Sequence, residues 1–243
     1  MKSNFSSLIF ALAIIIASIF LGKAYVDRAK SEGNISVTGL GKANFSSDLV
    51  VWDGRFSAES TNLKEAYAEL EKSKGIINDY LLEQGLKAEN LVFSALSVRE
   101  KNKALYSSDG DYMGERFEKY ILTQSVSVES KDVDRVERIS REITELLNKG
   151  INFYSSAPRY YFTGLANLKI EMISKATEDA RIRAETIASN SGAKLGKLVS
   201  ARMGVFQITG QHSTEEYSWG GTFNTSDREK TASITMKLVY EVN

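Results

Sequence analysis

The sequence predicts an α+β protein, mainly antiparallel sheet with three helices packed on one face, in the order ββα ββα β α ββ, behind one N-terminal apolar helix. Three observations predict it. Apolar and polar residues alternate with period two in short runs between Ile35 and Val242, as half-buried strands require. Three longer stretches repeat apolar residues at helical spacing and stop at a glycine. Strand-to-strand connections outnumber strand–helix–strand crossovers, which favours antiparallel neighbours over a doubly wound sheet.

The first element is the apolar helix. Leu8 to Leu21 reads LIFALAIIIASIFL without a charge. Extended to Phe5 and Gly22, the run reaches about eighteen residues, the lower limit for spanning a bilayer at ~1.5 Å per residue. It is apolar on every face, unlike a core helix with one polar stripe. Two readings stand: an uncleaved anchor, or a signal cleaved near Gly22-Lys23-Ala24, where the lysine is poor for cleavage. The expected organisation is a signal-anchor or transmembrane segment over 1–24, a polar tether over 25–34 and one α+β domain over 35–243. That domain is expected outside the cytoplasm, membrane-anchored, or free in the periplasm if the leader is cleaved.

Ile35, Val37, Gly39, Gly41, Ala43 and Phe45 share one face of the first strand. Ser46-Ser47-Asp48 predicts a turn into a second strand, with Val50, Trp52, Phe56 and Ala58 inward, hairpinned to the first. Asn62 with Glu65 forms a capping-box pattern opening a helix that ends at Gly85, its inward stripe Leu63, Ala66, Tyr67, Leu70, Ile77, Tyr80 and Leu81. Strands near 90–100 and 116–130 come next, around a polar turn at Ser107 to Asp111. A second helix runs from Asp132 to Lys149, with Val133, Val136, Ile139, Ile143 and Leu146 inward. A strand from Ile151 passes the single proline, Pro158, to Thr163. The third helix, near 165–190, carries Ala176, Ala180, Ala184 and Ala188 at i, i+4 spacing and closes at Gly192. Strands at about 195–209 and 231–242 flank a long polar loop.

Composition narrows the function. Lys+Arg and Asp+Glu both number 31, so no basic excess exists to neutralise phosphates, and nucleic acid is not an expected partner. The chain has no cysteine, which excludes disulfides, thiolate catalysis and Cys-based zinc sites.

Four segments together resemble one family. Ile35-Ser36-Val37-Thr38-Gly39-Leu40-Gly41 with Asp48 to Trp52 is similar to the opening of SIMPL-domain (DUF541) proteins. Arg159-Tyr160-Tyr161-Phe162-Thr163-Gly164-Leu165 resembles their strand-to-helix junction. The helix with Ala176, Thr177, Ala180, Arg181 and Ala184 resembles the alanine-rich helix of the family, and Ser191 to Gly196 resembles its stop. The resemblance covers residues 35–242. It implies a bacterial protein exported to the periplasm or envelope, with links to oxidative-stress defence and oligomeric assembly. It supplies no catalytic residue to carry over.

The remaining candidates are few. Gly39-Leu40-Gly41 begins like a dinucleotide fingerprint, but a strand continues where that motif needs a helix; close backbone approach explains the glycines better. His212 is the single histidine, placed with Glu215 and Glu216 at a predicted loop tip, a poor metal set. No carboxylate pair, phosphate loop or nucleophile elbow is visible, so no catalytic residue, cofactor or metal is expected. Tyr217, Trp219 and Phe223 stand among glycines and serines of one polar loop, the composition of a contact surface. Tyr154, Tyr160, Tyr161 and Phe162 fit either core packing or a ligand platform. The alanine stripe fits helix-on-sheet packing or a helix–helix contact. The leading expectation is a non-enzymatic envelope protein, held by its N-terminal segment, that works through oligomerisation or contact with an envelope protein. The alternative is an extracytoplasmic binding module for a small ligand or cell-wall fragment, using the aromatic strand.

Overall fold

Ser47 and Asp48 separate a pair of strands that the local pattern joins. The computed structural model describes residues 2–30, 33–216 and 218–243, with side chains over 10–26 and from 33 onward save 217. Its elements are α1 (Lys2–Lys30), β1 (Asn34–Ser46), β2 (Leu49–Ser60), α2 (Leu63–Glu83), β3 (Leu91–Phe93), β4 (Ser97–Tyr106) and β5 (Tyr112–Ser130). Beyond them come α3 (Val133–Glu142), β6 (Asn152–Ser155), β7 (Arg159–Tyr161), α4 (Leu165–Asn190), β8 (Leu195–Met203), β9 (Gln207–Gly210) and β10 (Glu229–Val242). The α+β class and the antiparallel pairing are as expected. The N-terminal hairpin is not: β1 pairs with β10, whereas β2 pairs with β5, β6 and β7. Alternation says that a strand has one buried face; it carries no mark of which strand lies beside it.

Two sheets result. The smaller is ordered β1-β10-β8, with β9 also on β10, and the larger β3-β5-β2-β6, with β4 on β5 and β7 on β2. The helices divide accordingly, α4 over the smaller sheet and α2 with α3 over the larger. Around Trp52 and Phe56, α2, α3 and the 3₁₀ turn that follows α3 bury Leu70, Ile77, Ile139 and Ile143. Each such side chain contributes about 1.5–3 kcal/mol relative to exposure. Leu63 and Tyr67, expected inward, are 44% and 49% exposed; the stripe runs instead through Ala66, Leu70, Ser73, Ile77, Tyr80 and Leu81. Asn62 caps α2 by accepting from the Lys64 and Glu65 amides, and Glu65 accepts from Ser60 Oγ, which itself accepts from the Asn62 amide. The second helix keeps α geometry only to Glu142; Ile143–Lys149 tightens to 3₁₀ before Gly150 at φ 78°.

Close approach explains the glycine pair of β1. A Cβ on Gly39 would sit 2.1 Å from the Ala176 carbonyl oxygen, and one on Gly41 2.2 Å from that of Met172. The backbone of α4 therefore lies directly on β1, with Ala176, Ala180, Ala184 and Ala188 buried beneath it. Helix-on-sheet packing accounts for the stripe. On the outer side of this contact, Asp179 accepts from the Leu40 amide at 2.8 Å, occupying a donor on the open edge of β1.

Three strands read as continuous are each broken in two while staying beside one partner: β3 and β4 along β5, β6 and β7 along β2, β8 and β9 along β10. Pro158, without an amide donor, falls in one break. Gly204 falls in another, where a Cβ would meet Thr235 Oγ1 at 2.3 Å.

Helix α1 runs 29 residues, through Lys23 to Lys30, so the first section of the expected tether is helical. Its residues from Phe10 to Val26 are exposed rather than packed on either sheet. Among the described residues no helix is long and apolar enough to cross a membrane. The apolar run of the sequence begins at Leu8, ahead of the first described side chain, Phe10.

Candidate functional site

The polar loop between β9 and β10 is a built structure. Gln207 is 8% exposed, and its amide holds the loop from three sides: Nε2 donates to Ser218 O at 2.8 Å, and Oε1 accepts from the Ser218 and Thr222 amides at 3.4 and 2.6 Å. Glu215 is exposed, but its carboxylate is tied back to the loop, accepting from the Gly210 amide at 2.9 Å and Asn224 Nδ2 at 2.6 Å. Those bonds, the Gly210 amide first, hold its carboxyl below the usual carboxylate range despite some burial. Asn224 Nδ2 also donates to Asp227 Oδ2 at 2.9 Å.

Lys230 closes the base of the loop. It is 2% exposed, and Nζ donates to the carbonyls of Tyr160, at 2.7 Å, and Asn224, with the Phe223 ring centroid 5.9 Å away. Burial pushes its amine down from the ordinary lysine value, while Asp227 and Glu215 pull some of the way back. Buried charges of this kind persist only when hydrogen-bonded. No sequence motif marks this cluster. The one available signal was a lysine at an inward position of the final strand, two before Ala232 and four before Ile234.

Against this fixed base, Trp219 is 100% exposed and Phe223 50%. Tyr217, predicted with them, lies outside the described residues. Trp219 edges a hollow of about 370 Å³ whose apolar lining includes Leu40 and Val205 on the side of the smaller sheet away from α4. The loop thus sets Trp219 beside an apolar recess. Phe223 instead sits over the Lys230 amine, its backbone forming a single isolated bridge with Ile208.

The other predicted candidates separate. His212 is exposed at the turn after β9, with φ 65°, while the Glu215 carboxylate is taken up by the Gly210 amide. Among the described residues no group of His, Asp and Glu is disposed to hold a metal ion. The aromatic strand is not one platform. Phe162 packs on Phe45, ring centroids 4.8 Å apart, and Tyr160 packs against the larger core. Burial, with Glu137 next to it, pushes the Tyr160 hydroxyl up to about 12. Tyr154 alone faces solvent, 61% exposed on the uncovered side of the larger sheet.

The family model SIMPL, a protein of unknown function (DUF541), matches residues 35–239. The chain belongs to the SIMPL family. No curated protein matches it significantly. The matched span of this SIMPL protein runs from the first residues of β1 into β10, so it takes in both sheets and all three helices packed on them. The family description assigns no reaction to either sheet.

Proposed function

We propose that this SIMPL protein is a non-enzymatic protein of the cell envelope that acts through protein contact at Trp219. The observation that carries the reading is a fully exposed tryptophan held beside an apolar hollow by a hydrogen-bonded loop. Exposing an indole to water is unfavourable, and a rigid loop loses little entropy when a partner covers it. Tryptophan is also the side chain most enriched at the centres of interfaces. The envelope location is supported by the charge-free run from Leu8 to Leu21 and by the exposure of the apolar residues of α1. On this reading 1–24 anchors the chain, 25–34 links and 35–243 is the working domain. The non-enzymatic character is supported by one exposed histidine, no cysteine and a family without an assigned reaction.

A photoreactive amino acid at position 219 in intact cells tests it. The expected result is a discrete cross-linked species, either a dimer or one envelope protein, that the same probe at Ile170 on the outer side of α4 does not give. Identical products from both positions would sink the reading.

A second reading, an extracytoplasmic binding module, is favoured by a separate observation: Tyr154 stands exposed at the edge of a polar hollow on the uncovered face of the larger sheet.

A further inference from the structure

The side of the larger sheet opposite α2 and α3 carries polar side chains in register. Asn152, Ser57, Thr123 and Ser97 form one row across β6, β2, β5 and β4. Asn152 Nδ2 donates to Ser57 Oγ within it, at 3.1 Å. Tyr154, Arg55 and Ser125 form the next row on one side, and Glu59, Ile121 and Arg99 the row on the other. A shallow hollow of about 550 Å³ lies over these rows.

Charge on this face is unevenly compensated. Glu59 is engaged by Lys119, and Asp53 by Arg159 at 2.5 Å. Arg55 and Arg99 have no acidic partner among the described residues. Farther along the β4–β5 arm, Lys103 and Arg116 are directly opposite each other on the same face, also without one. Between Arg99 and Lys103, Lys101 is itself paired with Glu118 at 3.2 Å. With these three carboxylates occupied, Arg55, Arg99, Lys103 and Arg116 remain as free cations beside a row of hydroxyls and an amide.

Spacing selects the ligand. Arg55 and Arg99 are two strands and four residues apart in register, ~16 Å at ~4.8 Å per strand and ~3.3 Å per residue, and Lys103 lies ~13 Å beyond Arg99. A small anion cannot meet all three positions; an extended polyanion can. A single-stranded nucleic acid would call for a series of stacking rings and a basic balance. This face offers the ring of Tyr154, and the chain has zero formal net charge.

We propose that this face binds a linear polysaccharide bearing carboxylate groups. The chain lies obliquely from Arg55 past Arg99 to Lys103 and Arg116. Its hydroxyls meet the Asn152–Ser97 row, and one sugar ring stacks on Tyr154. This rests on the second reading, the extracytoplasmic binding module, and names its ligand class. It is independent of the contact at Trp219.

The test uses the full chain in detergent and a fluorescent oligogalacturonate, read by anisotropy. Binding at low salt should weaken by about tenfold at physiological salt, since few charges are neutralised. The double variant Arg55→Gln, Arg99→Gln should lose at least about tenfold in affinity, and Arg55→Lys, Arg99→Lys should recover most of it. Tyr154→Ala should weaken binding without altering the salt dependence. If a neutral chito-oligosaccharide binds and loses affinity in Tyr154→Ala while the oligogalacturonate does not bind, the proposal fails but the second reading survives. If neither binds to folded protein, both fail. Tighter binding of oligo-dT or of anionic lipid vesicles than of oligogalacturonate, or equal binding by the double glutamine variant, overturns the proposal.

Discussion

Asp48 holds Thr163 twice, accepting from its amide at 2.7 Å and its hydroxyl at 2.5 Å. The pair ties the crossover between the sheets to the segment joining β7 to α4. Ser47 and Tyr160 extend the same seam, their amides donating to Arg228 O and Thr225 O at 3.0 and 2.8 Å. Burial alone would raise the Asp48 carboxyl; the two Thr163 bonds, with Lys131 nearby, outweigh it and hold it below the ordinary carboxylate value.

Two outcomes are expected for Asp48. Asp48→Ala should lower unfolding free energy by about 2 kcal/mol in urea titrations at neutral pH, since both bonds have an ionised acceptor. Because the folded value lies below the unfolded one, the contribution is complete above the unfolded value near pH ~4 and fades as pH falls through the folded value. Asp48→Asn should therefore flatten the acid side of the stability–pH curve between about pH 5 and pH 2. An unchanged acid limb would show that Asp48 does not titrate with folding.

Gly39→Ala should destabilise by about 3 kcal/mol, because the new methyl would meet the backbone of α4 and the Ala180 methyl, neither of which can swing aside. Gly75→Ala is the matched opposite. Gly75 is exposed in α2 with open space around its Cβ, so alanine should stabilise by about 1 kcal/mol. Thermal unfolding of both variants checks the pair, and shifts of the same sign would contradict the packing described.

Trp219→Ala should leave stability within about 0.5 kcal/mol of the parent, since the side chain is wholly exposed. The same change should abolish the partner contact in sedimentation or affinity measurements. A large loss of stability would mean that the indole packs on its own domain.

Lys230→Met should free the loop between β9 and β10. The carbonyls of Tyr160 and Asn224 lose a charged donor, at a cost of about 2 kcal/mol. Limited proteolysis should then cut between 211 and 228 before any other site. Since burial lowers the Lys230 value, folding is opposed most below the folded value, and stability rises toward the unfolded value near pH ~10.4. The methionine variant should lack that alkaline rise.

Element type was legible in the sequence because it is local. The inward faces of β1, β2, α3 and β10, the Asn62 cap and the glycine stops all come from periods of 2 and 3.6 and from backbone dihedrals of single residues. Trp219 was also legible as exposed, since an indole among glycines and serines has little local structure to bury it. The support beneath it was not: Gln207, Glu215 and Asn224 are ordinary polar residues until the loop folds over them.

Tertiary structure alone decided the partners. A strand's alternation is satisfied by any neighbour that covers its apolar face, so β1 could carry the same pattern beside β2 or beside β10, 183 positions away at Ser46 and Glu229. The row from Asn152 to Ser97 exists only because register sets four strands side by side; in the chain its members are scattered from 57 to 152. Residues by themselves specified which faces meet water. Pairing, which depends on long-range closure and on the fit of whole surfaces, specified what those faces place together.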